Sequence, residues 1–308
     1  MDAYQADAHT GPHCSELSAR LGEPLAGTSA FARTWLCVEQ PGPWGREALR
    51  ESHIDTGVGA ALAGLTSGTG VRVALIRRAG SHPDRHRPIP RRVYLAHTAP
   101  GRTWLERWYV TDPAELLDLD FAAIGAGVAP DRGEGLTRPL LLICTNGRRD
   151  VCCALVGRPI AAALAGVHGE DVWECTHLGG HRFSPTAVLL PGGYSYGRLT
   201  LADAARLLDP GAGVDLEHCR GRSTWTAAGQ VAELAVRTAI TETDPDAVAV
   251  TDTGPAAAGR WVADVSHVDG RRWVVDVTER TAPELRSASC GAVPKPATYL
   301  VVDRIAAG

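Results

Sequence analysis

Apolar positions in this chain fall in short alternating or continuous runs, separated by breaks rich in glycine and proline. The segment CSELSARLGEPLAG has helical character, and TWLCVEQ (34–40) is β-rich and stops at PGPWG, after which a helix is predicted from Arg46. Strands follow at 71–78 (VRVALIRR), 91–98 (RRVYLAHT) and 103–110 (TWLERWYV). Asp112 ahead of Pro113 predicts a helix start, an N-cap with proline at the first helical position.

The same succession then begins again. PLLLICTN (139–146) predicts a strand and VGRPIAAALAGV a helix. DVWECTHL, TAVLLPGG and SYGRL predict further strands, and a helix runs from Thr200 through Leu208. Laying 35–49 over 141–155 without a gap matches Leu36 with Leu142, Ala48 with Ala154 and Leu49 with Leu155. It sets Val38 and Glu47 opposite Cys144 and Cys153, so the first of two related β-α-β-β-α lobes is expected to carry no metal ligands. From Ala227 the pattern changes to a helix, AAGQVAELAVRTAI, and strands near DAVAVT, RWVADVSHV and RRWVVDVTE, the last two joined by an Asp269-Gly270 turn. The expected architecture is α/β: an N-terminal lobe over 1–130, a second lobe over 131–225 and a small α+β unit over 226–308.

A charged share of 21 % against 44 % hydrophobic residues is ordinary for a folded globular protein and excludes a disordered or fibrous class. The net charge of −4 argues against a sequence-independent nucleic-acid binder, which needs a basic surface to displace counterions. One segment is strongly basic, RRAGSHPDRHRPIPRR (77–92), and reads as a solvated hairpin loop able to meet an acidic partner. The opening residues MDAYQADAHTGPHC lack the basic start and apolar core of an export signal, and no apolar run reaches the roughly 20 residues that span a bilayer. A soluble cytoplasmic protein without a membrane partner is the expectation.

Eight cysteines in 308 residues are too sparse for a disulfide scaffold, and three of them fall within ten residues. In a cytosolic chain such clustering points to metal or redox chemistry. In CTNGRRDVCC (144–153), Cys144 ends a strand and Cys153 starts a helix, whose N-terminus favours a thiolate. In ECTHLGGHRFSPTAVLLPGG (174–193), Gly179 and Gly180 between His177 and His181 predict a tight loop rather than a helix. Glycines there let backbone approach a cofactor closely. Pro185, directly before a β-rich run, fits the cis-proline that precedes a strand beside the active site in thioredoxin folds. Taken together, two cysteines and two histidines at loop positions of one βαβ unit indicate a metal centre.

Residues 139–200 resemble the sucrase/ferredoxin-like family of thioredoxin-like ferredoxins, through Cys-x8-Cys at Cys144 and Cys153, His-x-Gly-Gly-His at His177 to His181, and the Pro-Thr context after them. The resemblance extends more thinly over GEPLAGTSAFARTWLCVEQPGPWG and least over the last 80 residues. It implies a thioredoxin-like fold and a [2Fe-2S] cluster with Cys144 and Cys153 on one iron and His177 and His181 on the other. Cys152 is the alternative to Cys153, and the spacing favours Cys153. The resemblance further implies electron transfer with a separate redox partner protein, so the chain reads as a carrier rather than an enzyme with its own substrate. Two neutral imidazoles in place of two thiolates raise the potential, and a histidine that takes up a proton makes it pH-dependent.

The rival readings are a Cys2His2 zinc site on the same ligands and a thioredoxin-like thiol oxidoreductase using Cys152 or Cys153. Zinc more often clamps shorter cysteine spacings, and the Cys-x-x-Cys motif of such oxidoreductases is lacking. Asp150 is the expected N-cap of the helix carrying Cys153. Arg148, Arg149 and Arg182 are candidates for donating hydrogen bonds or forming a docking rim, Trp173 and Tyr194 for packing, and Cys290 for a structural or incidental thiol. No nucleotide-binding glycine loop, flavin signature or hydrolytic triad is present in the sequence.

Overall fold

The computed structural model describes residues 12–80 and 90–308. After α1 (Cys14–Arg20), the first half contains β1 (Thr34–Glu39), α2 (Thr56–Thr66), β2 (Val71–Arg77), β3 (Arg91–His97) and β4 (Trp104–Val110). A 3-10 turn at Pro113–Asp118, α3 (Phe121–Gly125) and the short β5 (Glu134–Gly135) follow. The second half contains β6 (Leu140–Cys144), α4 (Val151–His168), β7 (Val172–Cys175), β8 (Ala187–Leu190), β9 (Tyr194–Tyr196), α5 (Leu201–Arg206) and β10 (Cys219–Arg222).

These strands form one ten-stranded sheet in the order β10-β9-β8-β6-β7-β2-β1-β3-β4-β5. Each half repeats one arrangement. β1 pairs parallel with β2 and antiparallel with β3, which pairs antiparallel with β4; β6 does the same with β7, β8 and β9. The halves join edge to edge through the antiparallel pair β2 and β7. The fold is therefore α/β, with the same strand pairing repeated in each half.

The central strands are apolar on both faces, as strands covered on both sides must be. Leu36 and Val38 pack with Leu62 of α2, and Leu141 and Ile143 pack with Ala161 and Leu164 of α4. The opposite face supplies a single cluster including Trp35, Cys37, Tyr94, Leu142, Cys144 and Trp173. The far end of the sheet is tied back onto this cluster. Ala32 N–H donates to Ser223 O at 2.7 Å, Trp35 Nε1 to Ser223 Oγ at 3.0 Å, and Arg222 Nε to Thr98 O at 2.8 Å.

Three sequence expectations change here. The ungapped overlay of 35–49 on 141–155 pairs Leu36, which faces α2, with Leu142, which faces the inner cluster, so it is out of register. A one-residue slip in a strand exchanges its faces. Val38 is then not the counterpart of Cys144. The helix expected from Arg46 starts about ten residues later, because Glu51 folds 45–51 into a turn and Asp55 caps α2 by accepting from Gly57 and Val58 N–H at 2.9 and 3.0 Å. β2 and β3 are separated by β1, so the basic segment between them does not close a hairpin; its residues 81–89 lie outside the described residues.

The C-terminal unit consists of α6 (Ala227–Ile240) and an antiparallel sheet of β11 (Val248–Ala257), β12 (Arg260–His267), β13 (Arg272–Thr281) and β14 (Thr298–Ala307). α6 is buried on two sides: Val231, Ala232 and Val236 pack on this sheet, and Leu234 packs into the core of the second half. Arg237, Glu233 and the Tyr194 hydroxyl form a fully buried polar group between them, with Tyr194 donating to Glu233 at 2.6 Å. Trp173 and Tyr194 are thus packing residues, Trp173 meeting Tyr94 edge-on at 5.7 Å. Residues Val151–Asp171 form a helix long and apolar enough by composition to cross a membrane; here α4 packs on β6 and β7.

Candidate metal centre

Cys144 is the last residue of β6, and its N–H donates to Thr186 O at 2.9 Å. The chain turns on Asn146 and enters α4 at Asp150, whose carboxylate accepts from Cys152 N–H at 2.9 Å as the N-cap. Gly157 lets α4 lie directly on β6, since a Cβ there would collide with the Cys144 carbonyl. That close approach brings Cys153, in the first turn, over the strand end, and both thiols are fully buried.

The histidine loop is fastened from three sides. Thr176 N–H donates to Leu75 O at 2.9 Å, and Arg72 Nη2 donates to His177 O at 3.1 Å, so β2 of the first half holds its start. Arg220, fully buried, donates from Nη1 to Gly179 O at 3.0 Å and also binds Thr28 O. Gly180 has φ +66°, a left-handed conformation, and any Cβ there would run into the Arg220 guanidinium. Ser184 Oγ donates to Cys152 O at 3.1 Å and ties the loop to α4. The Ser184–Pro185 peptide bond is cis.

Donor atoms of Cys144, Cys153 and His177 come within 4.8 Å of one another. The fourth sequence candidate, His181, lies outside that set; its ring stands 5.0 Å from that of His177, and its Nε2 is 3.6 Å from Asp150 Oδ2. His177 Nδ1 and both ring nitrogens of His181 are buried without a hydrogen-bond partner of ordinary geometry, although Ala288 comes up to the His181 ring. Buried polar atoms are rarely left so.

The hydrogen bond from Cys153, followed by His177, outweighs burial and holds the Cys144 thiol well below its usual range. The same shared hydrogen bond, with burial, pushes Cys153 up, so the pair retains one proton between two sulfurs. Burial lowers His181, which favours the neutral imidazole that ligates metals. Arg220 and Arg72 both feel the Cys144 charge, and burial depresses both, Arg220 to about 10. The buried Arg220 and the half-buried Arg72 therefore lie near an anionic sulfur site, a contribution with no local signal in the sequence.

Cys152 points elsewhere, to Cys14 and Cys290, so of the two readings of Cys290, structural or incidental, the contacts favour the structural one. Of the proposed rim arginines, Arg149 borders a depression beside His177 with Arg46, Arg50 and Arg72, while Arg148 lies beside Trp44. Arg182 donates to the buried Glu23 at 2.6 Å, the hydrogen-bonding role of its two expected ones. The sucrase/ferredoxin-like family profile matches residues 25–221, more than half of the chain. No curated protein and no solved structure matches it.

Proposed function

Because the chain belongs to the sucrase/ferredoxin-like family, we propose that it carries single electrons on a [2Fe-2S] cluster held by Cys144, Cys153, His177 and His181. The observation that carries this reading is the donor set. Two buried sulfurs meet an imidazole, and three buried ring nitrogens lack a hydrogen-bond partner of ordinary geometry. Such atoms fit a metal group, because buried polar atoms are rarely left without well-formed partners.

When bound, such a cluster accepts and releases one electron, at roughly −150 to +300 mV for known centres with two histidines on one iron against about −400 mV for plant-type all-thiolate ones. The remaining work belongs to this chain. Arg220 and Arg72 oppose the negative charge of the sulfurs, and Arg220 also holds the histidine loop through Gly179 O. Asp150, beside His181 Nε2, partly offsets the burial that keeps that imidazole neutral, so the ring can take up a proton as an electron arrives. Arg46, Arg50, Arg72 and Arg149 around the depression at His177 suit an acidic redox partner.

The test is aerobic purification of the full chain with iron and sulfide assay and a visible spectrum. Two irons and two sulfides per chain with visible absorption are expected. A colourless protein carrying zinc on Cys144 and Cys153 would overturn the reading.

A further inference from the structure

Three thiols meet where α1, the start of α4 and the loop between β13 and β14 come together. Cys152 Sγ lies 3.3 Å from Cys290 Sγ and 3.6 Å from Cys14 Sγ, and Cys14 and Cys290 are 3.6 Å apart. Asp150 closes the group, its Oδ2 3.7 Å from Cys14 Sγ, and His13 Nδ1 borders it at 3.8 Å from Cys290 Sγ. Cys14, Cys152 and Asp150 are buried and Cys290 is half-buried. The Asp150 carboxylate is oriented by N–H donors from Cys152 and Cys290, each at 2.9 Å.

We propose that Cys14, Cys152, Cys290 and Asp150 form a zinc site that fastens both ends of the chain to the helix carrying Cys153. Structural zinc takes four ligands in a tetrahedron, and a Zn–S bond of about 2.3 Å gives tetrahedral edges of about 3.8 Å. The sulfur and oxygen separations here approach that edge. Three soft sulfurs exclude calcium and magnesium, which take oxygen, and the converging carboxylate oxygen favours zinc over copper(I). Cys14 and Cys290 both lie outside the residues matched by the family, so the site is an addition of this chain's flanking segments.

The site has structural work to do. α1 spans only seven residues, and the segment between β13 and β14 contains little regular structure, so neither has much intrinsic stability. Cys14 and Cys290 are 276 residues apart, and one ion would bring them together on α4. Asp150 serves the cap of α4 and borders His181, so the site also steadies one edge of the cluster pocket.

The inference is tested on the full chain with metal analysis, and it does not depend on the iron reading. Wild type is expected to hold one zinc per chain after incubation with equimolar ZnCl2. X-ray absorption at the zinc edge should show three sulfurs and one oxygen or nitrogen. Cys14→Ser and Cys290→Ser should each reduce zinc at least about tenfold while keeping iron and visible absorption, whereas Cys144→Ser should lose iron and keep zinc. Should the serine variants fail to fold by circular dichroism, the wild-type zinc spectrum decides alone. Zinc-free wild type, zinc with fewer than three sulfurs, or a disulfide joining any two of Cys14, Cys152 and Cys290 in the purified protein would overturn the site.

Discussion

Cys152 and Cys153 are consecutive in α4, yet their sulfurs belong to different groups. Cys153 turns inward to Cys144 and His177, and Cys152 turns outward to Cys14 and Cys290. Successive residues on a helix project about 100° apart, so one turn serves two sulfur sites. Cys153→Ser is therefore expected to remove iron and visible absorption at least about tenfold, and Cys152→Ser to leave most of both. Equal loss in the two variants, measured by iron assay on folded protein, would contradict this division.

With the proposed cluster bound, proton coupling at the histidines is expected to set the pH response of its potential. Reduction adds negative charge beside His181, which raises its affinity for a proton, so the potential falls as pH rises. The expected slope approaches about 59 mV per pH unit, one proton per electron, within part of the range from about pH 6 to 9. Spectroelectrochemical titration measures it. A potential independent of pH across that range would remove the coupling.

Gly180 sits in a left-handed conformation against the Arg220 guanidinium. Gly180→Ala should cost roughly 1–3 kcal/mol from backbone strain, with the displaced arginine adding to it. Lower denaturation midpoints together with weaker iron retention are the expected readouts. An alanine variant as stable as wild type would show that the loop relaxes freely.

The buried pair Arg77–Glu174 spans the seam between β2 and β7. Arg77 Nη2 donates to Glu174 at 2.8 Å, Thr145 Oγ1 donates to the same oxygen at 2.8 Å, and Arg77 stacks over Trp44. Removing Arg77 takes the cation from beside the buried Glu174 carboxylate, and Arg77→Met should cost roughly 3–5 kcal/mol in urea unfolding. The double variant Arg77→Met/Glu174→Leu should recover much of that loss; a double variant no more stable than the single one would argue against the pair as the cause.

Thr200 is the N-cap of α5 and Asp203 its capping-box partner, and the Thr200 hydroxyl, donating at 2.6 Å, is the main reason the Asp203 carboxyl is held down at about 2 from an ordinary 3.8. A carboxyl depressed by folding stabilises the native state above the higher value and loses that contribution as pH falls through the lower one. Stability should therefore drop between pH 3.8 and about 2. Asp203→Asn should be less stable than wild type at neutral pH, with the gap closing over that same interval. A gap that stays constant under acid would assign the effect to packing.

Much of this molecule was legible locally. Most strand runs, the Asp150 cap, the cysteine spacing and the glycine-broken histidine loop depend on neighbours within a few residues, so pattern and spacing express them directly. The repeated strand order was legible too, although the ungapped overlay was not, because Leu36 and Leu142 match in type while facing opposite sides of the sheet.

Only the tertiary structure decided what meets across the chain. Arg72 and Arg220 reach the histidine loop from β2 and β10, and Cys14 and Cys290 reach Cys152 from 138 residues away on either side. Such contacts leave no periodicity or motif in the sequence. They exist because a curled sheet and a two-sided helix bring distant segments into one buried volume, where sulfur and charge require partners that water no longer supplies.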